Sequence, residues 1–138
     1  MKQFYQAYKQ QSIMTMTQSE MLIMLYDGIL RQVQVIKRAF AKSPPDFAEI
    51  NVSLQKTQKI LNYLIGSLDK KFAIANNLLS LYDYCNWLLT QTNIKKTPVG
   101  LDEIDEIIRE LKDTYIQADK NVRMHVPDEE RTLQTAAH

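Results

Sequence analysis

The chain has 138 residues, a mass of 16.1 kDa and a formal net charge of +1, values that fit a single domain. It contains 3 glycines and 4 prolines, and because an all-β domain of this length needs many tight turns, this scarcity argues against a β-sandwich or barrel. The 17 basic and 16 acidic residues leave no basic surplus, which argues against nucleic-acid binding.

A first helix is predicted over residues 17–42. It opens with the capping box Thr17-Gln18-Ser19-Glu20, in which a hydroxyl accepts an unpaired backbone N–H and Glu20 reaches back. It ends at Ser43-Pro44-Pro45, because proline lacks an N–H and disfavours helix in the preceding residue. Spacings of three and four place one set of apolar residues on a single face: Leu22, Leu25, Ile29, Val33, Ile36 and Phe40.

A second helix is predicted over residues 46–68, with Asp46 and Glu49 as its N-terminal signature. Gly66 interrupts the apolar pattern, and it marks either the last turn or a close approach by a neighbouring helix. The strict three–four alternation is typical of a helix in a near-parallel bundle. Its members are Phe47, Ile50, Leu54, Thr57, Leu61, Leu64 and Leu68.

Two further helices are predicted over residues 72–93 and 101–122, separated by a loop that contains Pro98 and Gly100. Asp102 is the predicted N-cap of the fourth helix. The apolar face of the third helix comprises Ile74, Leu78, Leu81, Cys85 and Leu88, widened by Leu79, Tyr82 and Leu89. That of the fourth comprises Leu101, Ile104, Ile108, Leu111, Tyr115, Ala118 and Val122.

Short loops between helices of similar length imply antiparallel neighbours, so the predicted fold is all-α, an antiparallel up-down four-helix bundle over residues 17–122. Residues 1–16 form a predicted N-terminal arm, and residues 123–138 a flexible C-terminal tail with a helical turn at 128–133 as an option. The longest apolar run, from Met21 to Tyr26, is far short of the ~20 residues that a membrane span needs. With no secretory signal in addition, we expect a cytoplasmic protein without membrane insertion.

The sequence offers little for catalysis, so we expect no enzyme, no cofactor and no metal. The two histidines, His125 and His138, lie beyond the apolar face of the fourth helix and lack the Glu-x-x-His spacing of a di-iron bundle. Cys85 lies on an inward face without an activating base nearby, so it is predicted to be a small buried hydrophobic residue. The acidic residues that follow Leu101 complement a helix dipole.

The start of the first helix is apolar over a wider arc than a small bundle requires, because Met21-Leu22-Ile23-Met24-Leu25-Tyr26 covers nearly all directions within two turns. Methionine adapts its shape to imperfectly matched surfaces, which favours a docking site. The alternative is that residues 3–13 of the arm simply cover this arc.

Aromatic residues are also abundant, with 7 tyrosines in the chain. On the third helix Tyr82 fits the inward face, whereas Tyr84 and Trp87 are predicted to point away from it. Packing explains any one of them, but together with Tyr26 and the arm residues Tyr5 and Tyr8 they are able to form an amphipathic wall for a partner helix.

Three segments stand in a distinctive order: Leu22-Ile23-Met24-Leu25-Tyr26-Asp27-Gly28 with the lead-in Ala7-Tyr8 and Thr15 to Glu20; the segment from Ile60 to Asp69; and the segment from Ile74 to Tyr84. Together they resemble the flagellin export chaperones of the FliS family. Each is short, but their order and spacing over residues 5 to about 120 are specific. The chain departs from the family pattern at Asp69-Lys70-Lys71-Phe72, at Tyr115 in place of a late tryptophan, and at Thr92-Asn93.

The resemblance implies a helical bundle capped by a short N-terminal helix. It also implies binding of the disordered C-terminal segment of flagellin, which keeps flagellin monomeric, and transfer of this client to the flagellar type III export gate. On this basis we hypothesise client contacts, some of which are alternatively core residues, at Met21, Met24, Leu25, Tyr26, Leu78, Leu81 and Tyr82. The arm residues hypothesised to cap this surface or to contact the gate are Tyr5, Tyr8 and Ile13.

Two questions remain open at the level of sequence. A generic helical-bundle adaptor or secretion regulator with another helical client would show the same fold and the same wide apolar stripe. The sequence is also compatible with either a monomer or a homodimer.

Overall fold

The computed structural model describes the backbone of residues 16–125 and the side chains of residues 16–121, and four α-helices account for most of them. They are α1 (Gln18–Ala41), α2 (Phe47–Gly66), α3 (Ala73–Lys95) and α4 (Leu101–His125). The predicted arm, apart from Met16, and the chain beyond His125 lie outside the described residues. The fourth helix is three residues longer than predicted, so the first part of the predicted tail is helical.

The first two helices begin at the predicted caps. The Thr17 hydroxyl accepts a hydrogen bond from the Glu20 N–H at 3.1 Å, and the Asp46 carboxylate accepts one from the Glu49 N–H at 3.0 Å. Each cap pairs a backbone N–H that the helix itself leaves free. The fourth helix instead begins at Leu101, so Asp102 is not its N-cap; it lies in the first turn and forms an ion pair with Lys37 of α1.

The helices alternate in direction and pack as a ring. The connections span five or six residues, so each helix runs antiparallel to the next, and α1 closes the ring by packing against both α2 and α4. The third helix in turn packs against α2 and α4. This arrangement confirms the all-α, antiparallel up-down four-helix bundle.

Most residues of the predicted apolar faces are buried in the core. Its fully buried members include Ile29, Val33 and Ile36 of α1, Leu61 and Leu64 of α2, Tyr82, Cys85 and Leu89 of α3, and Leu101, Ile104 and Ile108 of α4. None of the four helices between residues 16 and 125 combines the length and hydrophobicity that a bilayer crossing requires.

Two residues of the predicted apolar faces are exposed. Phe47, the first residue of α2, and Ile74, the second of α3, keep 48% and 44% of their surface accessible. The buried face of α3 is therefore turned slightly from the predicted one, and Leu81 is half-buried. The observed buried positions of α3 are Ala75, Leu78, Tyr82, Cys85, Leu88, Leu89 and Thr92.

The glycines near the connections have different roles. A Cβ atom at Gly66 would meet no atom within 4 Å, so this residue marks the last turn of α2 and not a close helix contact. Gly100 has a φ of +85°, and a Cβ there would lie 3.0 Å from Cδ2 of Leu88. Glycine therefore suits both the backbone conformation and the space at this position. The third helix ends two residues later than predicted, where Lys96 adopts a left-handed conformation.

Candidate functional site

The apolar run at the start of α1 is divided between the core and the surface. Leu22 and Tyr26 are buried, whereas Met21, Met24 and Leu25 are half-buried. Helical geometry requires this division, because Leu22 and Tyr26, four residues apart, share the inward face, and the other four residues of the run, Ile23 among them, point elsewhere. A surplus of apolar surface therefore remains after α1 has filled its part of the core.

This surplus lies in a groove beside α2. Met21, Met24 and Leu25 line a shallow depression of about 210 Å³ together with Tyr63 of α2. Tyr63 is 57% exposed, and its hydroxyl approaches the sulfur of Met21 at 4.0 Å. We refer to Met21, Met24, Leu25 and Tyr63 as the α1–α2 strip.

Tyr63 is a member that sequence reasoning did not assign to the site. It lies between Leu61 and Leu64 of the buried face of α2, and at 100° per residue it must point outward on the side of α1. A tyrosine exposed beside methionines presents a large apolar ring with a polar tip, a combination frequent in interfaces. Assigning Tyr63 to the site requires knowing that α1 packs beside this flank of α2, and the sequence of α2 alone does not contain that information.

Two tyrosines of the predicted site lie beneath the strip, in the core. Tyr26 and Tyr82 are both 0% exposed, and their hydroxyl oxygens are 2.6 Å apart across the centre of the bundle. The ring of Tyr115 lies near that of Tyr26, with centroids 6.0 Å apart and planes tilted by 42°. We refer to these three residues as the tyrosine cluster.

The hydroxyls of Tyr26 and Tyr82 pair with each other inside the tyrosine cluster. Burial raises the pKa of Tyr26 and of Tyr82 well above the ordinary tyrosine value, and it raises the pKa of Tyr115 in the same direction. The hydroxyls are therefore neutral around pH 7, and the bond between Tyr26 and Tyr82 joins α1 to the diagonally placed α3. A buried hydroxyl pair of this kind fixes the register of the two helices.

The remaining predicted contacts are not brought together with the strip. Leu78 is 3% exposed and belongs to the core. Leu81 is half-buried on α3, a helix that packs between α2 and α4, so it lies away from Met21, Met24 and Leu25. The predicted arm contacts Tyr5, Tyr8 and Ile13 fall outside the described residues. The strip thus retains three of the seven hypothesised client residues.

Cys85 has no feature of a reactive thiol. Its side chain is fully buried, as predicted, and burial raises its pKa to about 12. At neutral pH the thiolate, which is the nucleophile, is essentially absent. Over residues 16–121, moreover, no three histidine, cysteine or acidic side chains form a group that could hold a metal ion.

A second exposed group lies on α3. Trp87 and Tyr84 stack with ring centroids 5.9 Å apart and planes inclined by 15°, and both point outward as predicted. The Tyr84 hydroxyl donates a hydrogen bond to the Glu103 carboxylate of α4 at 2.7 Å. We refer to Tyr84 and Trp87 as the α3 aromatic pair.

Comparison with known proteins places this bundle in a family. The family model described as flagellar protein FliS matches residues 1–122. The flagellar secretion chaperone FliS of Bacillus subtilis is 30% identical over 119 residues, which cover 86% of this chain and 88% of that protein. The FliS chaperones of Escherichia coli and Vibrio cholerae are 28% and 31% identical over 117 and 121 residues, covering 80% and 81% of this chain and 85% of each relative. The chain therefore belongs to the FliS family of flagellar secretion chaperones.

Proposed function

We propose that this chain is a cytoplasmic export chaperone that binds the disordered C-terminal segment of flagellin. Covering that segment keeps flagellin from polymerising prematurely and leaves it competent for export. The observation that carries the proposal is the α1–α2 strip, which offers apolar side chains on a bundle whose core is already filled. Membership of the chaperone family supports a flagellar client.

The energetics favour an apolar groove for such a client. A disordered segment loses conformational entropy when it binds, so its affinity must come from a large contact. Apolar burial contributes ~25 cal/mol per Å², so a contact on the order of a thousand Å² supplies a gross gain that exceeds this cost. A client helix laid along α1 and α2 would bury Met21, Met24 and Leu25 together with the ring of Tyr63.

Methionine side chains suit this role, because an unbranched thioether adapts to different partners with little strain. Met21 and Met24 are three residues apart on α1 and thus lie on one helical flank. The neighbouring depression, lined by Gln18 and Ser67 as well as by strip residues, adds polar groups at the same end of the bundle. Such groups would orient a client without adding much to its affinity.

The test is a calorimetric titration of the full-length chain with a peptide that covers the C-terminal segment of its flagellin. We expect saturable binding with a negative heat-capacity change, the marker of apolar burial. Met24→Ser should weaken binding, whereas Ile94→Ser, at an exposed apolar residue near the end of α3 and away from the strip, should leave it unchanged. No binding to flagellin, but binding to another flagellar protein, would favour the adaptor or regulator instead.

We further propose that residues 3–13 cover part of the strip in the free chain and that the client displaces them. The apolar arm residues Phe4, Tyr5, Tyr8 and Ile13 supply the chemistry for this cover. A chain without residues 1–13 should bind more of a dye that reports apolar surface, and should bind flagellin equally well or more tightly. Removal of residues 127–138 is the matched control, and a loss of flagellin binding on removal of the arm would reject the competition.

Displacement of the arm would also explain transfer to the export gate. Once released by the client, Tyr5, Tyr8 and Ile13 would be free to contact the flagellar type III export gate. Tyr8→Ala should then reduce capture of the chaperone–flagellin complex by the gate's cytoplasmic domain without reducing flagellin binding. Equal capture of the Tyr8→Ala variant and the unaltered chaperone would show that Tyr8 does not contact the gate.

A further inference from the structure

Before its last residue, Lys95, α3 carries a single charged side chain, and that side chain is acidic. From Phe72 to Ile94 the sequence contains no lysine or arginine, and Asp83 is the single acidic residue of this stretch. On α4, Glu103 and Glu110 are seven residues apart and share a flank, and the contact between Glu103 and Tyr84 shows that this flank faces α3.

The basic residues of α4 point the other way. Lys112 pairs with Asp27 of α1 at 2.6 Å, and Arg109 lines a depression together with Arg31 of α1. These cations of α4 thus lie on its α1 side, where Lys112 pairs with Asp27 and Arg109 with Asp105, whereas its α3 side has carboxylates. The charged side chains next to the α3 aromatic pair on α3 and on the contacting flank of α4 are therefore Asp83 and Glu103, which are both negative.

The α3 aromatic pair is oriented before any partner arrives. Tyr84 is held by its hydrogen bond to Glu103, and Trp87 stacks on Tyr84 while 54% exposed. Asp83 lies four residues before Trp87 and so flanks its ring on the same helical face. The result is a large, rigid π-surface with a carboxylate on either side.

The α3 aromatic pair and the α1–α2 strip lie on different sides of the molecule. In the ring of helices, α1 and α2 form one side and α3 and α4 the other. A segment seated on Met21, Met24 and Tyr63 would therefore leave Trp87 uncovered, unless it wrapped around the bundle.

We propose that the α3 aromatic pair is a second docking surface, which binds an arginine-bearing segment of a partner protein. A guanidinium group stacks on the free face of Trp87, and Asp83 and Glu103 supply the counter-charge. Arginine is favoured over lysine because its planar group both stacks on an aromatic ring and pairs with a carboxylate. The complementarity of charge selects a basic partner over an acidic or purely apolar one.

Trp87 is the single tryptophan of the chain, so tryptophan fluorescence reports on this surface directly. The full-length protein is titrated with the peptide acetyl-Gly-Arg-Gly-Arg-Gly-amide and, in parallel, with the same peptide carrying glutamine in place of arginine. We expect a saturable change in Trp87 emission with the arginine peptide and an affinity at least about threefold higher than for the glutamine peptide. Raising the salt from ~50 to ~500 mM should weaken the binding.

Charge variants locate the binding. Asp83→Asn and Glu103→Gln should each lower the affinity for the arginine peptide by about twofold to fivefold. The amide oxygen introduced by Glu103→Gln can still accept the hydrogen bond from the Tyr84 hydroxyl. Asp113→Asn is the matched control: it removes the same charge about 15 Å further along α4 and should leave the affinity unchanged.

Three results of these fluorescence measurements would overturn the proposal. They are an equal response to the two peptides, an equal effect of all three charge variants, and a dependence of Trp87 emission on protein concentration without peptide, which would assign the surface to a second copy of this chain. Competition between the arginine peptide and the flagellin segment would also contradict it, since it would make the two surfaces one. Failure of flagellin to bind would leave this titration unaffected, so the two proposals fail separately.

Discussion

The α1–α2 strip and the tyrosine cluster are neighbours in sequence but have opposite environments. Leu25 and Tyr26 are consecutive, yet Leu25 keeps part of its surface exposed while Tyr26 is sealed in the core. Both regions consist of large, mostly apolar side chains, and both include residues of the run from Met21 to Tyr26. The comparison shows that helical phase, rather than composition, decides which residues hold the bundle together and which remain available to a partner.

The two regions also differ in what they contribute to stability. Tyr26 and Tyr82 of the tyrosine cluster are fully buried, and their hydroxyls pair with each other. The strip has already gained part of its burial energy from folding, and the rest is still available for binding. Substitutions in the cluster should therefore act on unfolding, and substitutions in the strip on client affinity.

The largest effect is expected for Tyr82→Ala. Removing a fully buried aromatic ring loses transfer energy and leaves a cavity, so the free energy of unfolding should fall by about 3–5 kcal/mol. Tyr63→Ala is the matched control, because it makes the same chemical change at an exposed residue of the strip and should cost less than about 1 kcal/mol. Urea unfolding of both variants measures the difference, and equal losses would contradict the division between the regions.

A smaller loss is expected for Tyr26→Phe. The ring remains, but the Tyr82 hydroxyl loses its partner in a dry environment, which should cost about 1–3 kcal/mol. The double variant Tyr26→Phe and Tyr82→Phe should lose less than the sum of the two single losses, since it leaves no orphaned hydroxyl. Additive losses in thermal or urea unfolding would show that the two hydroxyls are not coupled.

For Met24→Ser we expect an effect on binding of about 1 kcal/mol, or roughly fivefold in affinity, because a half-buried apolar contact to the client is lost. The unfolding free energy should change by less, since the residue is not part of the sealed core. Calorimetry with the flagellin segment measures the first quantity and urea unfolding the second. If Met24→Ser lowered the unfolding free energy but left flagellin binding unchanged, Met24 would belong to the core and not to the strip.

The smallest effect, and a favourable one, is expected for Gly66→Ala. The new methyl group would meet no atom within 4 Å, and alanine is the better helix former, so stability should rise by about 0.5–1 kcal/mol. Neither region is altered, so the affinity for flagellin should stay the same. A parallel rise in affinity would mean that binding follows global stability and not the surface of the strip.

The sequence predicted the bundle well because its signals are local. The caps at Thr17 and Asp46 and the three–four spacing of α2 depend on residues within a few positions of each other. Asp102 was assigned wrongly as a cap because Leu101, which is fully buried, already belongs to the helix.

The candidate site was predicted less completely, because it depends on which helices meet. The width of the apolar run from Met21 to Tyr26 indicated a surplus of apolar surface. The rotation of α1 about its own axis, relative to α2, decides that Tyr26 lies inside and Met24 at the surface. Tyr63 joins the strip only through packing between α1 and α2, which no local pattern contains.

The most direct test of the central claim uses the methyl signals of methionine. The full-length chain, labelled with ¹³C at its methionine methyl groups, is titrated with the flagellin C-terminal segment and followed by NMR, with Met21→Leu and Met24→Leu for assignment. We predict that the signals of Met21 and Met24 shift and saturate together with binding measured by calorimetry. Saturable binding that leaves both signals in place would show that flagellin docks elsewhere and would contradict the account.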